Sequence, residues 1–205
     1  VKDSTDLMTH RGPDDSGYYV YGNVGLGHRR LSIIDLSSGH QPMANEDGRI
    51  ITVYNGEIYN YKDIRQELIS RGHTFATNCD TEVIVHGYEE WGTDCIQRFN
   101  GMFSFVLWDD RTRNLWVVRD RLGIKPLYYY SDDHVIICSS EIKPILNTGL
   151  VRPEMNDNVL DAYFSVGYVP GPETMFKKIR KVLPGHFLLV DRNGLVDREY
   201  WDFSH

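Results

Sequence analysis

The fold can be worked out from residues 49–60, which read Arg-Ile-Ile-Thr-Val-Tyr-Asn-Gly-Glu-Ile-Tyr-Asn. The β-branched run at residues 49–54 is typical of a strand, and we expect the turn pair Asn55-Gly56 to end it. Asn60 is suited to be the N-cap of a helix, because apolar residues recur at helical spacing after it. We expect this helix to end near Gly72, since glycine readily adopts the left-handed conformation that ends helices. The stretch therefore predicts a strand followed closely by an amphipathic helix.

The flanking sequence repeats these two kinds of element. A second helix is predicted from Asp80 or Thr81 to Gly92, because apolar residues share one face and Asp80 is a common N-cap. A further helix is predicted at residues 156–164. Four pairs of short β-rich segments flank polar or Gly-containing turns and predict antiparallel hairpins: residues 17–21 with 24–29, 103–108 with 115–119, 127–130 with 134–139, and 186–191 with 195–200. Many short strands with separate helices indicate an α+β fold.

Composition excludes several classes of protein. The 205 residues include 22 Lys and Arg against 29 Asp and Glu, and a net charge of −7 argues against a nucleic-acid binder. The aliphatic runs are too short to span a bilayer, and the sequence beginning at Val1 has no signal-peptide pattern, so we expect no membrane segment. Three cysteines without a CxxC pair indicate a reducing, cytoplasmic setting.

Common site motifs are missing from the sequence. It contains no GxxxxGK[ST] phosphate loop, no correctly spaced GxGxxG and no GxSxG nucleophile elbow. The eight histidines form no HxH or HxxxH pair, so spacing predicts no metal site. Residues that carry a function must therefore lie in segments that match none of these common motifs.

Four polar segments have a structural interpretation as well as a functional one. Asn55-Gly56 is typical of a simple turn, and Asp80 of a helix cap. Arg30 could be a solvated charge at a strand end, and Arg119 with Asp120 an ion pair that holds a turn. Taken singly, none of the four indicates a function.

Taken together, these segments resemble the glutamine amidotransferase type 2 (glutaminase) domain of asparagine synthetases, a family with an N-terminal nucleophile. The matching stretches follow the family's order: RGPD at 11–14, RLSIID at 30–35, QP at 41–42, NGEIYN at 55–60, DTEV at 80–83, GMFSF at 101–105, RDRLGIKPLYY at 119–129, SEIK at 140–143, YVP at 168–170, LPGH at 183–186 and YW at 200–201. The run at 119–129 and the late LPGH favour asparagine synthetases over the related amidotransferases. The resemblance covers nearly the whole chain.

The resemblance implies a fold and a substrate site. The fold is a four-layer αββα sandwich of two antiparallel sheets flanked by helices, and residues 1–205 form one amidotransferase domain. The substrate is L-glutamine. Asn55 and Gly56 resemble the oxyanion hole, Arg30 the group that binds the α-carboxylate, and Asp80 with Glu57 the partners of the α-ammonium. The pocket lining corresponds to Leu31, Ser32, Ile33 and Ile34.

The family's nucleophile is a cysteine whose free α-amine acts as the base, and this sequence lacks it. Residue 1 is Val, and Cys79, Cys95 and Cys138 are internal and match no motif position. Two interpretations follow. Either the family's opening strand precedes Val1, which we favour because the other positions are intact, or the domain is a natural variant without glutaminase activity.

The resemblance also implies a second domain. Asparagine synthetases use ATP and Mg²⁺ in a C-terminal synthetase domain with a Ser-Gly-Gly-x-Asp-Ser loop, and that loop does not occur here. We therefore expect no cofactor in this domain, and ATP and Mg²⁺ only in the full-length enzyme, with the synthetase domain of the same polypeptide as partner. The sequence does not identify the ammonia acceptor, and it leaves open whether the protein forms a homodimer. It also leaves open the alternative that the domain is a catalytically silent module that binds glutamine or a partner.

Overall fold

A long strand at residues 50–58 is central to the computed structural model, which describes residues 1–31 and 39–204. The described helices are α1 (Lys2–Asp6), α2 (Tyr61–Ser70), α3 (Glu82–Trp91), α4 (Ile142–Asn147) and α5 (Leu160–Val166), with 3₁₀ turns at Gly92–Arg98 and Asp157–Val159. The strands are β1 (Asp15–Tyr21), β2 (Val24–Arg30), β3 (Met43–Ala44), β4 (Ile50–Ile58), β5 (Gly101–Asp109), β6 (Asn114–Arg119), β7 (Tyr128–Ser131), β8 (Ile136–Ser139), β9 (Arg180–Lys181), β10 (His186–Asp191) and β11 (Gly194–Glu199). The four predicted hairpins and the predicted helices are confirmed.

The strands form one large and two small antiparallel sheets. The large sheet has the order β11-β10-β6-β5-β4-β3, and the small sheets have the orders β1-β2 and β8-β7-β9. Strand β4 pairs along its whole length with β5, which places Asn55 opposite Ser104 and Gly56 opposite Phe103. Because β2 and β8 each lie at the edge of a small sheet, each keeps one side unpaired within the described residues.

Alternation along β5 divides the core into two layers. Phe103, Phe105 and Leu107 pack with the apolar faces of α2 and α3, whereas Val106 and Trp108 pack towards the small sheets. This alternation follows from the two-residue period of a strand buried on both faces.

The small sheets are covered in turn by α1 and α4. Ile145 of α4 packs against Tyr130 of β7, and α1 lies on β2. Gly27 allows that approach, because an added Cβ at this position would overlap the Thr5 hydroxyl. The resulting order is helices, large sheet, small sheets, helices, so the predicted four-layer αββα sandwich is confirmed.

The predicted end of β4 was wrong, whereas the predicted N-cap position of α2 is confirmed. The strand does not end at Asn55-Gly56 but runs on to Ile58, because β5 continues to supply backbone partners. Asn60 stands at the start of α2, yet its side chain makes no capping bond to that helix. It donates instead to the Arg98 carbonyl at 2.9 Å and accepts from the Asn100 amide at 2.9 Å, and so ties α2 to the chain entering β5.

The predicted ion pair between Arg119 and Asp120 is also replaced by another arrangement. Asp120 is buried and accepts backbone N–H groups of Ile124 and Lys125, each at 2.9 Å. Arg119 donates to the carbonyl oxygens of Lys125 at 2.9 Å and Gly123 at 2.7 Å. Both side chains therefore hold the turn through its backbone.

Within residues 1–31 and 39–204, we find no helix with the length and apolar content needed to cross a bilayer.

Candidate functional site

A cavity of about 1340 Å³ lies between the large sheet and the small sheets. Its walls include residues of β2, β4 and β8 together with the turn before α3. The described part of the predicted site lines it: Arg30, Leu31, Asn55, Gly56, Glu57 and Asp80. The remaining predicted lining residues, Ser32, Ile33 and Ile34, lie outside the described residues.

Strand β4 supplies the polar wall of the cavity. Asn55 shares a strand face with Ile51 and Val53, which pack in the layer between the sheets. Gly56 follows at a place where the chains are crowded, since an added Cβ would lie 2.6 Å from the Phe103 Cα. This close approach of β4 and β5 explains why glycine is needed here although the strand is regular. The arrangement presents a carboxamide and a backbone amide at adjacent positions.

Asp80 is held against β4 by two hydrogen bonds. Its Oδ2 accepts from the Tyr54 hydroxyl at 2.6 Å and from the Ile58 amide at 3.0 Å, and the residue is 4% exposed. Burial and the neighbouring Asp80 raise the pKa of the Tyr54 phenol well above its usual value, so the phenol stays a donor. The interpretation of Asp80 as a helix cap was wrong. Its backbone carbonyl accepts from the Val83 amide, but its side chain is directed to the sheet and does not cap α3.

Gln41 and His28 also hold this part of β4, and the motifs of the sequence gave neither of them a role. Gln41 accepts from the Tyr54 amide at 2.6 Å and reaches the Thr81 hydroxyl at 3.5 Å, so it joins β4 to the turn before α3. His28 of β2 donates through Nε2 to the Tyr54 carbonyl at 2.9 Å. Burial lowers the pKa of His28 to about 4, which leaves it neutral and unsuited to be the site's base at neutral pH.

The only available sequence signal for Tyr54 is the two-residue period of β4. Tyr54 and Ile58 lie on the opposite strand face from Asn55, towards α2 and α3. This places the phenol at the start of α3 without any motif.

Arg30 is the last residue of β2 and is buried. Its backbone carbonyl accepts from Asp14 at 3.0 Å, which joins the RGPD turn to the strand end. An added Cβ at Gly12 would lie 2.5 Å from the Arg30 nitrogen, so this turn also depends on glycine. Leu31 follows and is 57% exposed.

The three cysteines are unsuited to be the nucleophile. Cys79 Sγ lies 3.2 Å from the Thr81 hydroxyl and 3.6 Å from Asp80 Oδ1, and burial raises the pKa of its thiol. Burial also raises the pKa of Cys138 to about 12 and that of Cys95 well above its usual value. Since the thiolate is the reactive form, a raised pKa makes all three poor nucleophiles at neutral pH.

The turn at residues 119–126 supports the β4 wall from the other side of β5. Asp120 Oδ2 accepts the Phe103 amide at 3.2 Å, and the Asp120 amide donates to the Phe103 carbonyl at 2.8 Å. Phe103 is the residue paired with Gly56. The charged turn therefore sets the position of β5 beside the carboxamide wall.

The walls of the cavity thus include an arginine, an aspartate and neutral donors. An arginine can bind a carboxylate through both oxygens, and an aspartate can bind an ammonium. A carboxamide and a backbone amide can stabilise an oxyanion. This is the set of groups needed to bind an amino acid that carries a second reactive carbonyl.

Comparison with solved structures supports the fold. The chain aligns with a glutamine phosphoribosylpyrophosphate (PRPP) amidotransferase from B. subtilis, complexed with ADP and GMP, at a TM-score of 0.58 and 20% identity. The alignment covers 86% of this chain and 35% of that chain. The α+β sandwich predicted from the sequence is therefore confirmed as the fold.

Comparison with sequences identifies the family. Asparagine synthetase (glutamine-hydrolyzing) 2 of Bacillus subtilis (strain 168) is 47% identical over 211 residues, which cover 100% of this chain and 28% of that protein. Asparagine synthetase (glutamine-hydrolyzing) 3 of the same strain is 40% identical over 201 residues, covering 97% of this chain and 33% of that protein. The chain therefore spans about a third of the length of these relatives. Because the sequence profile of the glutamine amidotransferase domain matches residues 1–201, the chain belongs to that domain family and is homologous to the corresponding domains of asparagine synthetases.

Proposed function

We propose that this domain binds L-glutamine in the cavity beside β4 and supplies the oxyanion hole for hydrolysis of its side-chain amide to glutamate and ammonia. The observation that supports this most directly is the set of polar residues in the cavity wall. Arg30, Asp80 and the Asn55-Gly56 pair all line the cavity. They offer one cation, one anion and two neutral donors, which match the three polar parts of glutamine.

Arg30 and Asp80 have opposite charges that complement the α-carboxylate and α-ammonium. In this proposal the guanidinium of Arg30 takes the carboxylate. Asp80 takes the ammonium through Oδ1, because Oδ2 already accepts from Tyr54 and Ile58. Glu57, two residues beyond Asn55 on the same strand face, adds negative charge to that end of the cavity.

Asn55 and Gly56 then act on the developing oxyanion. The Asn55 carboxamide and the Gly56 backbone N–H are neutral donors on a strand whose partner, β5, is held by Asp120. Donors that are fixed before the reaction avoid reorganisation when charge develops, which is the main requirement of an oxyanion hole.

In this proposal the nucleophile comes from outside residues 1–205, since the pKa values of the three internal thiols are all raised. We propose a cysteine with a free α-amine on a segment that precedes Val1. The unpaired edges of β2 and β8 support this, because both line the cavity and can each pair with one added strand. Val1 also lines the cavity, so a segment that precedes it would join the chain at the cavity wall.

The reaction then proceeds in two steps. The thiolate adds to the amide carbon, the oxyanion forms and collapses, and the C–N bond breaks as the protonated α-amine gives a proton to the leaving ammonia. Water next adds to the thioester, the amine takes its proton, and glutamate and free thiol are released. Asn55 and Gly56 stabilise the oxyanion of both steps.

The acceptor of the ammonia is proposed from the relatives. Since they are asparagine synthetases and the chain covers about a third of their length, we propose that ammonia passes to a synthetase domain of the same polypeptide. ATP and Mg²⁺ would activate aspartate there, and the sequence of this chain holds no phosphate loop that fits them. We further propose that the protein works in the cytoplasm.

The experiment compares three proteins in a coupled assay of glutamate release from glutamine. They are residues 1–205, the full protein with its preceding residues, and the full protein with its first mature cysteine changed to Ala. We expect turnover by the second protein alone. Turnover by residues 1–205, or by the Ala variant, would refute the nucleophile assignment.

The full protein also discriminates among the alternatives. Asparagine formation from aspartate, ATP and glutamine is expected. Glutaminase activity without asparagine formation would point to another acceptor. Glutamine binding without turnover, with a residue other than Cys, Ser or Thr at the mature N-terminus, would point to the silent module.

A further inference from the structure

A cluster of two histidines and two glutamates lies outside the glutamine cavity. Glu46 follows β3, His73 follows α2, and His86 and Glu89 stand one turn apart on α3. One ligand atom from each lies within 4.8 Å of the other three. Glu46, His73 and Glu89 also line a separate depression of about 330 Å³. Three elements that are distant in sequence thus converge on one small pocket.

Each histidine has a carboxylate behind its outer nitrogen. His86 Nε2 lies 3.4 Å from Glu82 Oε1, and His73 Nε2 lies 3.5 Å from Glu90 Oε2. A histidine that binds a metal commonly donates its other N–H to a carboxylate in this way, which fixes the tautomer and directs the lone pair to the metal.

The Glu82 carboxylate is itself firmly held. It accepts the backbone amides of Ala76 at 2.7 Å and Thr77 at 2.8 Å. A carboxylate 3.4 Å from the ring can accept only from an Nε2–H of His86, and in that tautomer Nδ1 is the acceptor nitrogen of the ring.

The inner nitrogen of His86 is the feature that points to a ligand. His86 is 1% exposed, and its Nδ1 has no hydrogen-bond partner of acceptable geometry among the described residues. This Nδ1 nevertheless lies 3.1 Å from Glu46 Oε2, and His73 Nδ1 lies 3.4 Å from Glu46 Oε1. A cation between these atoms, either a proton or a metal ion, would pair with both the ring nitrogen and the carboxylate.

We propose that Glu46, His73, His86 and Glu89 bind a divalent transition-metal ion of the Zn²⁺ type. Imidazole nitrogen with carboxylate oxygen is a donor set that Zn²⁺ accepts, whereas Mg²⁺ and Ca²⁺ prefer oxygen alone. Bonds of about 2.0–2.2 Å in a tetrahedron place ligand atoms about 3.4 Å apart. The four side chains must therefore close by about 1.4 Å from their widest separation of 4.8 Å.

The two glutamates can make that adjustment. The Glu46 and Glu89 side chains are 38% and 25% exposed, so solvent leaves them room to turn. Glu46 keeps Oε2 for the metal while Oε1 accepts the Thr74 amide at 3.0 Å. Glu89 Oε2 would continue to accept the 2.8 Å hydrogen bond from Asn45. Glu89 Oε1 now accepts from Arg111 at 3.2 Å and would bind the metal in place of that hydrogen bond.

The metal would be structural. All four ligands come from this chain, which fills a tetrahedral shell, and the cluster shares no residue with the described lining of the glutamine cavity. It would tie the connection after β3, the loop after α2 and the middle of α3 into one unit. Spacing alone predicted no metal site, because His73 and His86 are on different elements and form no short motif.

The test uses the full protein after treatment with a chelator and exchange into metal-free buffer. We expect one equivalent of Zn²⁺ to bind, and Co²⁺ to give the visible absorption of a tetrahedral site. With free Zn²⁺ at about a hundred times its Kd, the Tm should rise by about 5–10 °C.

Variants show whether the cluster holds the ion. E46Q and H73N should each reduce Zn²⁺ affinity at least about tenfold and remove the Tm rise. H186Q is the matched control, because His186 also lies between two carboxylates, Asp197 at 2.8 Å and Glu199 at 3.6 Å, but has no second histidine in the cluster. It should leave Zn²⁺ binding unchanged.

Two results would overturn the proposal. One is the absence of stoichiometric Zn²⁺ binding at neutral pH, which would leave the four residues as a network of ion pairs. The other is unchanged binding in both E46Q and H73N. If either variant unfolds without metal, the Co²⁺ spectrum of the other decides. The glutaminase assay is independent of these readouts.

Discussion

Replacing Tyr54 by Phe tests the connection between β4 and the predicted ammonium-binding carboxylate. The substitution removes one hydroxyl and conserves the ring, so it deletes the 2.6 Å hydrogen bond to Asp80 and leaves that buried carboxylate with the Ile58 amide. A hydrogen bond to a charged group contributes about 1.5–3 kcal/mol to stability. In a domain of 205 residues, this corresponds to a fall in Tm of about 3–12 °C.

The assay is urea and thermal unfolding followed by circular dichroism, with glutamine KM measured in the full protein. We expect KM to rise more than kcat falls, because Asp80 is proposed to bind the substrate ammonium and not the reacting amide. Tyr130→Phe is the matched control: it deletes a similar 2.7 Å bond to Asp132, a carboxylate that is exposed to solvent, unlike Asp80. Its effect on stability should be much smaller.

Equal losses of stability in the Tyr54 and Tyr130 variants would refute the reasoning that burial makes the Tyr54–Asp80 bond strong. An unchanged KM for glutamine in the Tyr54 variant would separate the bond from substrate binding and leave it a purely structural contact.

Further predictions concern the site and its supports. Asn55→Ala in the full protein should lower kcat by about 10²–10³, the usual effect of one oxyanion donor, and a loss under about threefold would exclude that role. Arg30→Ala should mainly raise KM for glutamine, and an unchanged KM would make Arg30 structural. Gly56→Ala should destabilise the domain by about 1–3 kcal/mol, measured by urea unfolding, because its Cβ would lie 2.6 Å from the Phe103 Cα. His28 has a folded-state pKa of about 4 against an unfolded value near 6.5. Its contribution to stability is therefore complete above about pH 6.5 and falls, by at most about 1.4 kcal/mol per pH unit, as the pH drops to about 4; unfolding at several pH values should show a smaller fall in His28→Asn.

The sequence predicted the elements of the fold better than their ends. The alternation of β5 and the turn residues of the hairpins are local properties, so they were readable without a structure. The prediction that β4 ends at Asn55-Gly56 was wrong because the length of β4 depends on its partner strand β5, more than forty residues away. Strand β5 pairs with β4 up to Ile58. Asn60 was correctly predicted as the N-cap of α2, but its side chain makes no capping bond because it is bonded to the Arg98 carbonyl and the Asn100 amide instead.

The predicted site shows the same limit. Arg30, Asn55 and Asp80 could be named because their stretches resemble a family, and the structure brings all three to one cavity. Gln41, Tyr54 and His28 could not be assigned a role in this way, since what they do depends on hydrogen bonds between separate elements. The cluster around His86 could not be predicted either, because it also depends on contacts between separate elements.

The start of α3 connects these two regions and explains why the turn before it is rigid. Asp80 and Glu82 are separated by one residue, and both are at most 4% exposed. Asp80 is bound to β4 through Tyr54 and Ile58, whereas Glu82 is bound to residues 76–77 and to His86. Because the two carboxylates are held in different directions by donors that do not move together, the turn between them cannot rotate without breaking buried hydrogen bonds to a charged group, each worth about 1.5–3 kcal/mol. Asp80 is therefore fixed before any substrate binds, and its position depends on contacts at both ends of the turn.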